Sequence, residues 1–170
     1  TGAPVNEKLD GTGFGKVEKT ELGYSPERGA EVFTANCAVC HGADGQGQKD
    51  ANGRIVFPAL WGPGSYNWGA GMARIDTAAA FIKNNMPLSQ PGKLSDQEAW
   101  DVAAFINSHE RPRDARQGDA SIEDTRLRFH DGDQIYYGKE LNGVLMGVGT
   151  PDPERPIGAP ELPIGPTPLE

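Results

Sequence analysis

Cys37, Ala38, Val39, Cys40 and His41 run consecutively, so two thiols stand three residues apart with an imidazole directly after the second. Thiols at this spacing can add across the two vinyl groups of a haem while the adjacent imidazole reaches its iron. These are the only two cysteines in 170 residues, which excludes a disulfide framework and a four-cysteine zinc site built within the chain. A thioredoxin-like redox pair needs an apolar strand running into the motif, whereas Ser25 to Asn36 has the pattern of a helix. The expected cofactor is therefore one covalently bound haem c, attached through Cys37 and Cys40.

His41 is the expected proximal iron ligand, and its second ring nitrogen is expected to donate to a backbone carbonyl that fixes tautomer and ring orientation. On the opposite side a thioether suits an electron-transfer haem, and the chain has three methionines. Met86 is the expected distal ligand. It follows an apolar helical stretch from Thr77 to Ile82, and Pro87 prevents that helix from running on through the ligand loop. Met72, in the glycine-flexible run Trp68-Gly69-Ala70-Gly71-Met72, is the alternative. Met146 lies in an outlying glycine-rich segment, and it, His109 and His130 are expected at the surface or an interface. Trp61, Tyr66 and Trp68 are expected to line the pocket. Tyr66 and Trp68 bring donors for the haem propionates, and Arg74 is a further candidate propionate partner.

Two helices must position this motif. Ser25 can cap a helix with Pro26 at its first position and Glu27 in its first turn, bringing Gly29, Ala30, Val32 and Phe33 onto roughly one face. Ser95 with Glu98 three residues later forms a capping box, after which Trp100, Ala103, Ala104, Phe105 and Ile106 recur at helical spacing until Pro112 ends the run. Gly29 on the first helix and Ala103 or Ala104 on the last permit a close crossing. After His41, three glycines within six residues allow the backbone to turn tightly around a flat macrocycle.

The rest of the chain is poor in core-forming material. Hydrophobic residues make up 36%, while Gly 23 and Pro 14 are abundant, so long loops or arms are expected. Residues 1–24 read as an irregular amino-terminal arm, 25–111 as the haem domain, and 112–170 as a carboxy-terminal strap, first charged and then proline-rich. Leu127, Phe129, Ile135, Tyr136, Tyr137 and Leu141 are its candidate anchors, either on its own domain or on a partner. A net charge of −8 argues against nucleic acid and for a partner with a basic docking surface. No apolar run reaches the ~18–20 residues of a transmembrane helix, and the start at Thr1 has no signal-peptide pattern, so the chain reads as a soluble, processed product.

The run Gly29-Ala30-Glu31-Val32-Phe33, then Cys-Ala-Val-Cys-His-Gly, a Met-Pro pair and Leu-Ser-Asp-Gln-Glu before a closing helix resembles class I cytochrome c over about Ser25 to Arg111. Within that superfamily, the runs Phe57–Pro63, Ser65–Met72 and Ala80–Pro87 look most like the carboxy-terminal haem domain of thiosulfate dehydrogenases and related sulfur-metabolism cytochromes. The resemblance implies a mainly α, class I cytochrome c fold around one haem, with long irregular extensions at both ends. It also implies Pro58 as the carbonyl that receives the His41 proton. Those enzymes carry a second, amino-terminal haem with a further cysteine ligand, and this sequence shows neither. The expectation is therefore a non-enzymatic, periplasmic electron-transfer protein or subunit, working between an oxidoreductase and a respiratory acceptor. A thiosulfate dehydrogenase-like enzyme with a displaceable distal ligand is the alternative.

Overall fold

Helix α1 (Pro26–Asn36) starts where its first residues dictate. Ser25 is extended and its hydroxyl accepts the Arg28 N–H, with Pro26 at the first helical position, where a missing N–H costs nothing. The computed structural model in which this is seen describes residues 14–150. A single helical turn, α2 (Ala38–His41), follows α1 almost without interruption, and a two-stranded antiparallel hairpin, β1 (Gln48–Lys49) with β2 (Ile55–Phe57), comes next. A 3₁₀ turn at Gly71–Ala73 leads into α3 (Ile75–Asn85). Helix α4 (Asp96–Asn107) opens on the capping box, with both reciprocal bonds between Ser95 and Glu98 formed.

Helices α1 and α4 cross at Gly29. A Cβ built there would lie 2.0 Å from the main-chain oxygen of Asp101 and 2.7 Å from Phe105 Cβ, so only hydrogen allows the two backbones to approach this closely. The Asp101 carboxylate, 2% exposed, locks the crossing from the side. It accepts the Ser25 N–H at 2.7 Å, two guanidinium bonds from Arg28 at 2.8 Å each and the Gln97 amide at 3.1 Å. A carboxylate this deeply buried survives because its lone pairs are filled by donors, one of them cationic. Phe33, Trp61 and Phe105 pack beside the crossing, with ring centroids 5.1–5.7 Å apart.

The segments outside the helical pair rest on it. Residues 14–24 run without helix: Phe14 sets its edge against Phe81, Trp100 donates to the Glu18 carbonyl at 2.8 Å, and Tyr24 is buried beside Trp100. After α4 the chain forms a fifth helix, α5 (Ile122–Phe129), capped by Ser121, and a short hairpin, β3 (Glu140–Leu141) with β4 (Val144–Leu145). Ile135 bridges Arg74 in an antiparallel pair, and Ile75 N–H donates to Gln134 at 2.8 Å. Ile135, Tyr136, Tyr137, Leu141 and Met146 thereby join the core built by α1, α3 and α4.

Several expectations are corrected here. Leu127 and Phe129 are 62% and 38% exposed, because α5 turns Thr125 inward and those two outward. Met146, His109 and His130 are buried, at 1%, 3% and 3% exposure, instead of lying at a surface. The Asp131-Gly132-Asp133 run forms a bend whose backbone oxygens receive Arg74, Tyr24 and Lys139, and the proline-rich tail beyond Thr150 and the arm before Phe14 lie outside the described residues.

Candidate haem c site

Cys37 caps the end of α1 and Cys40 and His41 complete the turn of α2, with the His41 and Cys40 N–H groups both donating to the Cys37 carbonyl, at 2.9 and 3.1 Å. Helical spacing of three puts both sulfurs on one face of that turn. The two cysteines are not joined in a disulfide, and both are half-buried. Burial, with a smaller contribution from the neighbouring Cys40, pushes the Cys37 thiol up to about 11, which favours its neutral form.

The His41 ring is fixed by a bond of 2.8 Å in which Nδ1–H donates to the Pro58 carbonyl; a carbonyl can only accept, which sets the tautomer. Nε2 is then the free lone pair, the atom a metal ion would use. The approach of Pro58 depends on Gly47. Its φ is +75°, its N–H donates to the His41 carbonyl at 2.7 Å, and a Cβ there would lie 2.2 Å from the Phe57 carbonyl oxygen. No side chain fits between the motif loop and the Phe57-Pro58 segment.

Two thioethers, Met72 and Met86, are partly buried against the core, whereas Met146 is fully enclosed within it. Met86 ends α3, its N–H donating to Ile82 at 2.9 Å. Met72 sits in the 3₁₀ turn.

The donors expected for the propionates are engaged elsewhere. Trp68 is fully buried and its indole N–H donates to the Glu110 carboxylate. Tyr66 donates its hydroxyl to Asn107 Oδ1 at 3.3 Å. Arg74 pairs with Asp76 and reaches the Asp131 carbonyl, both at 3.2 Å. Trp61 packs face to face on His109, centroids 4.0 Å apart. Sequence reasoning missed two residues of interest beside Tyr66. Arg111, completely buried, stacks over the Tyr66 ring at 4.3 Å, and among the described residues its Nε and Nη1 have no acceptor; neither has the nearby Asn107 Nδ2. Buried N–H groups without an acceptor are costly, and this trio is suited to a carboxylate such as a haem carries.

Two thiols on one helical face, an imidazole oriented by a carbonyl with one nitrogen free, half-buried thioethers and unpaired interior donors together fit haem c. When bound, that group supplies one-electron chemistry by cycling its iron between ferric and ferrous states.

The helical pair and this motif define a c-type cytochrome. Residues 26–110 match the family described as Cytochrome c, and the chain belongs to it, binding haem c covalently through Cys37 and Cys40. A thiosulfate dehydrogenase of Stutzerimonas stutzeri is 52% identical over 150 residues, covering 88% of this chain and 48% of that protein. One of Thiomonas intermedia is 47% identical over 154 residues, covering 89% and 48%. The solved thiosulfate dehydrogenase (TsdBA) of Marichromatium purpuratum superposes with a TM-score of 0.80 at 50% identity, covering 88% of this chain and 32% of that one.

These matches correct the expectation of a non-enzymatic carrier. The relatives that share nearly nine-tenths of the chain are named for an enzyme. The lack of a second haem motif and a third cysteine does not count against that relation, because the chain spans about half the length of the curated relatives it matches.

Proposed function

We propose that this chain is the electron-handling haem c domain of a thiosulfate dehydrogenase-type oxidoreductase, working in the periplasm. The observation that carries the reading is the extent of the likeness. Identity of 52% runs over 150 residues, well beyond the 26–110 of the general cytochrome fold, and so takes in arm or strap segments that the fold alone does not require. In this reading Cys37 and Cys40 tether the haem, His41 holds the iron through Nε2 while Pro58 keeps the ring aligned, and Met86 closes the distal side. A filled pair of axial positions suits receipt and release of an electron with little rearrangement, and a thioether favours the ferrous state. Oxidation of thiosulfate supplies the electrons, and the net charge of −8 favours a redox partner that docks through a basic face.

The test is anaerobic mixing of thiosulfate with the native, full-length holoprotein, followed by the haem absorption bands. Thiosulfate-dependent reduction of the haem, and passage of those electrons to an added cytochrome acceptor, are expected. A haem that stays ferric with thiosulfate while dithionite reduces it at once would overturn the assignment.

A further inference from the structure

Lys83 stands in the last turn of α3, three residues before Met86. Its ammonium donates to the Leu94 carbonyl at 2.6 Å and lies 3.3 Å from Asp96 Oδ1. Between these anchors the chain leaves α3 at Met86 and rejoins the fold at Leu94, which is 2% exposed. Leu88, Ser89, Gln90, Pro91, Gly92 and Lys93, by contrast, are all exposed. Within the loop only two turn bonds form, Gln90 N–H to Pro87 at 2.8 Å and Lys93 N–H to Gln90 at 3.2 Å. Among the described residues, the Lys83–Leu94 bond is the one hydrogen bond tying residues 87–94 to another part of the molecule.

We infer that Lys83 is a positioning residue for the distal ligand: it clamps the far end of the Met86–Leu94 loop to the helix from which that loop starts, and so keeps the Met86 thioether in place. The inference rests on Met86 as the distal ligand and adds the residue that holds it there. The physical reason is one of local opening. A loop exposed along its length, with little bonding of its own, opens at a fraction of the global unfolding free energy. An external ligand that needs the open form binds with an affinity reduced by the fraction of molecules that are open. A charge-assisted bond across the loop's two ends lowers that fraction. The side chains of Lys83 and Asp96 are 27% and 31% exposed, so the direct bond to the Leu94 carbonyl is assigned most of the effect and the ion pair less.

The experiment is a titration of the ferric holoprotein with imidazole, together with the thioether-to-iron charge-transfer absorption. Lys83→Met keeps the length and the aliphatic stem of the side chain but removes the donor; it is expected to bind imidazole about tenfold more tightly than wild type and to weaken the charge-transfer band. Lys83→Arg restores a cationic donor and is expected to stay within about threefold of wild type. Asp96→Asn is expected to fall between the two. Equal imidazole affinity in wild type and Lys83→Met overturns the clamp. Met86→Ala separates this failure from failure of the ligand assignment. If Met86→Ala retains the wild-type charge-transfer band, the iron is ligated by another residue, and the clamp, having no ligand to position, is overturned with it. If Met86→Ala loses the band while Lys83→Met matches wild type, Met86 is the ligand and the clamp alone fails.

Discussion

Gly29 meets the main chain of Asp101 so closely that an added Cβ would stand 2.0 Å from its carbonyl oxygen. The same aspartate ties the start of α1 to α4 through its carboxylate, so the contact and the ion pair hold one crossing together.

Gly29→Ala forces that crossing apart, since the obstacle is backbone and cannot rotate away. Overpacking of this kind costs about 3 kcal/mol, and separation of the helices also lengthens the bonds to Asp101. A fall in melting temperature of roughly 10 °C is expected for the holoprotein. A shift of less than about 2 °C on thermal denaturation followed by circular dichroism would show that the helices have room to spare.

A second prediction concerns pH. Burial is the main cause that brings His109 down to about 4, with the nearby Arg111 charge acting in the same direction and bonding to the Phe105 carbonyl opposing. Folded His109 is therefore neutral, donating Nδ1–H to Phe105 at 2.8 Å while stacked on Trp61. As pH falls from about 6.5 to about 4, the unfolded chain takes up a proton that the folded chain refuses, so stability declines through that window, by roughly 3 kcal/mol in total. His130 is lowered by burial despite its 2.7 Å bond to Asp114 and contributes with the same sign. Burial pushes Asp114 up, but bonds from Arg116 and His130 outweigh it and leave it at about 2, so its contribution is lost only at still lower pH. Urea denaturation between pH 4 and 7 should therefore slope downward toward acid, and His109→Phe, which keeps an aromatic ring on Trp61, should flatten that slope. An unchanged slope in the variant would remove His109 from the account.

What was legible in the sequence was what is encoded over a few residues. Ser25-Pro26 and the Ser95–Glu98 capping box mark the helix starts through local hydrogen bonding, and the C-x-x-C-H run states its chemistry by spacing alone, whereas α4 stops at Asn107, five residues short of the Pro112 expected to end it. Gly29 could be read as a crossing point because a glycine inside an apolar helical face has few other uses. Acceptors were not legible. Tyr66, Trp68 and Arg74 were recognisable as donors, but nothing nearby in sequence says that Trp68 meets Glu110, 42 residues away, or Tyr66 meets Asn107, 41 residues away. Asp101 looks like any polar residue in an amphipathic helix until α1 delivers Ser25 and Arg28 to it. Leu127 and Phe129 fail for a related reason: apolar type suggests an anchor, yet the phase of α5 decides which side faces the core, and its short charged sequence gives that phase weakly. Met146 became a core residue only because the strap returns to pack where Tyr137 and Gly147 meet.

The choice between the two thioethers is the last prediction. Met86 and Met72 are both partly buried against the core, but they leave the fold differently. Met86 hangs from the end of an 11-residue helix whose Ile75, Ala78, Ala79 and Ile82 are buried, so its main chain is fixed on one side by packing and on the other by the Lys83 clamp. Met72 occupies a three-residue 3₁₀ turn between Gly71 and Ala73. A ligand that must stay put through repeated redox cycles is better carried by the former. Met86→Ala is expected to convert the ferric spectrum to high-spin and to lower the reduction potential by an appreciable part of the ~0.8 V over which axial ligands tune haem. Met72→Ala is expected to leave both unchanged. Spectra and potentiometry of the two variants decide between them: a high-spin Met72→Ala beside an unaltered Met86→Ala would transfer the distal position to Met72.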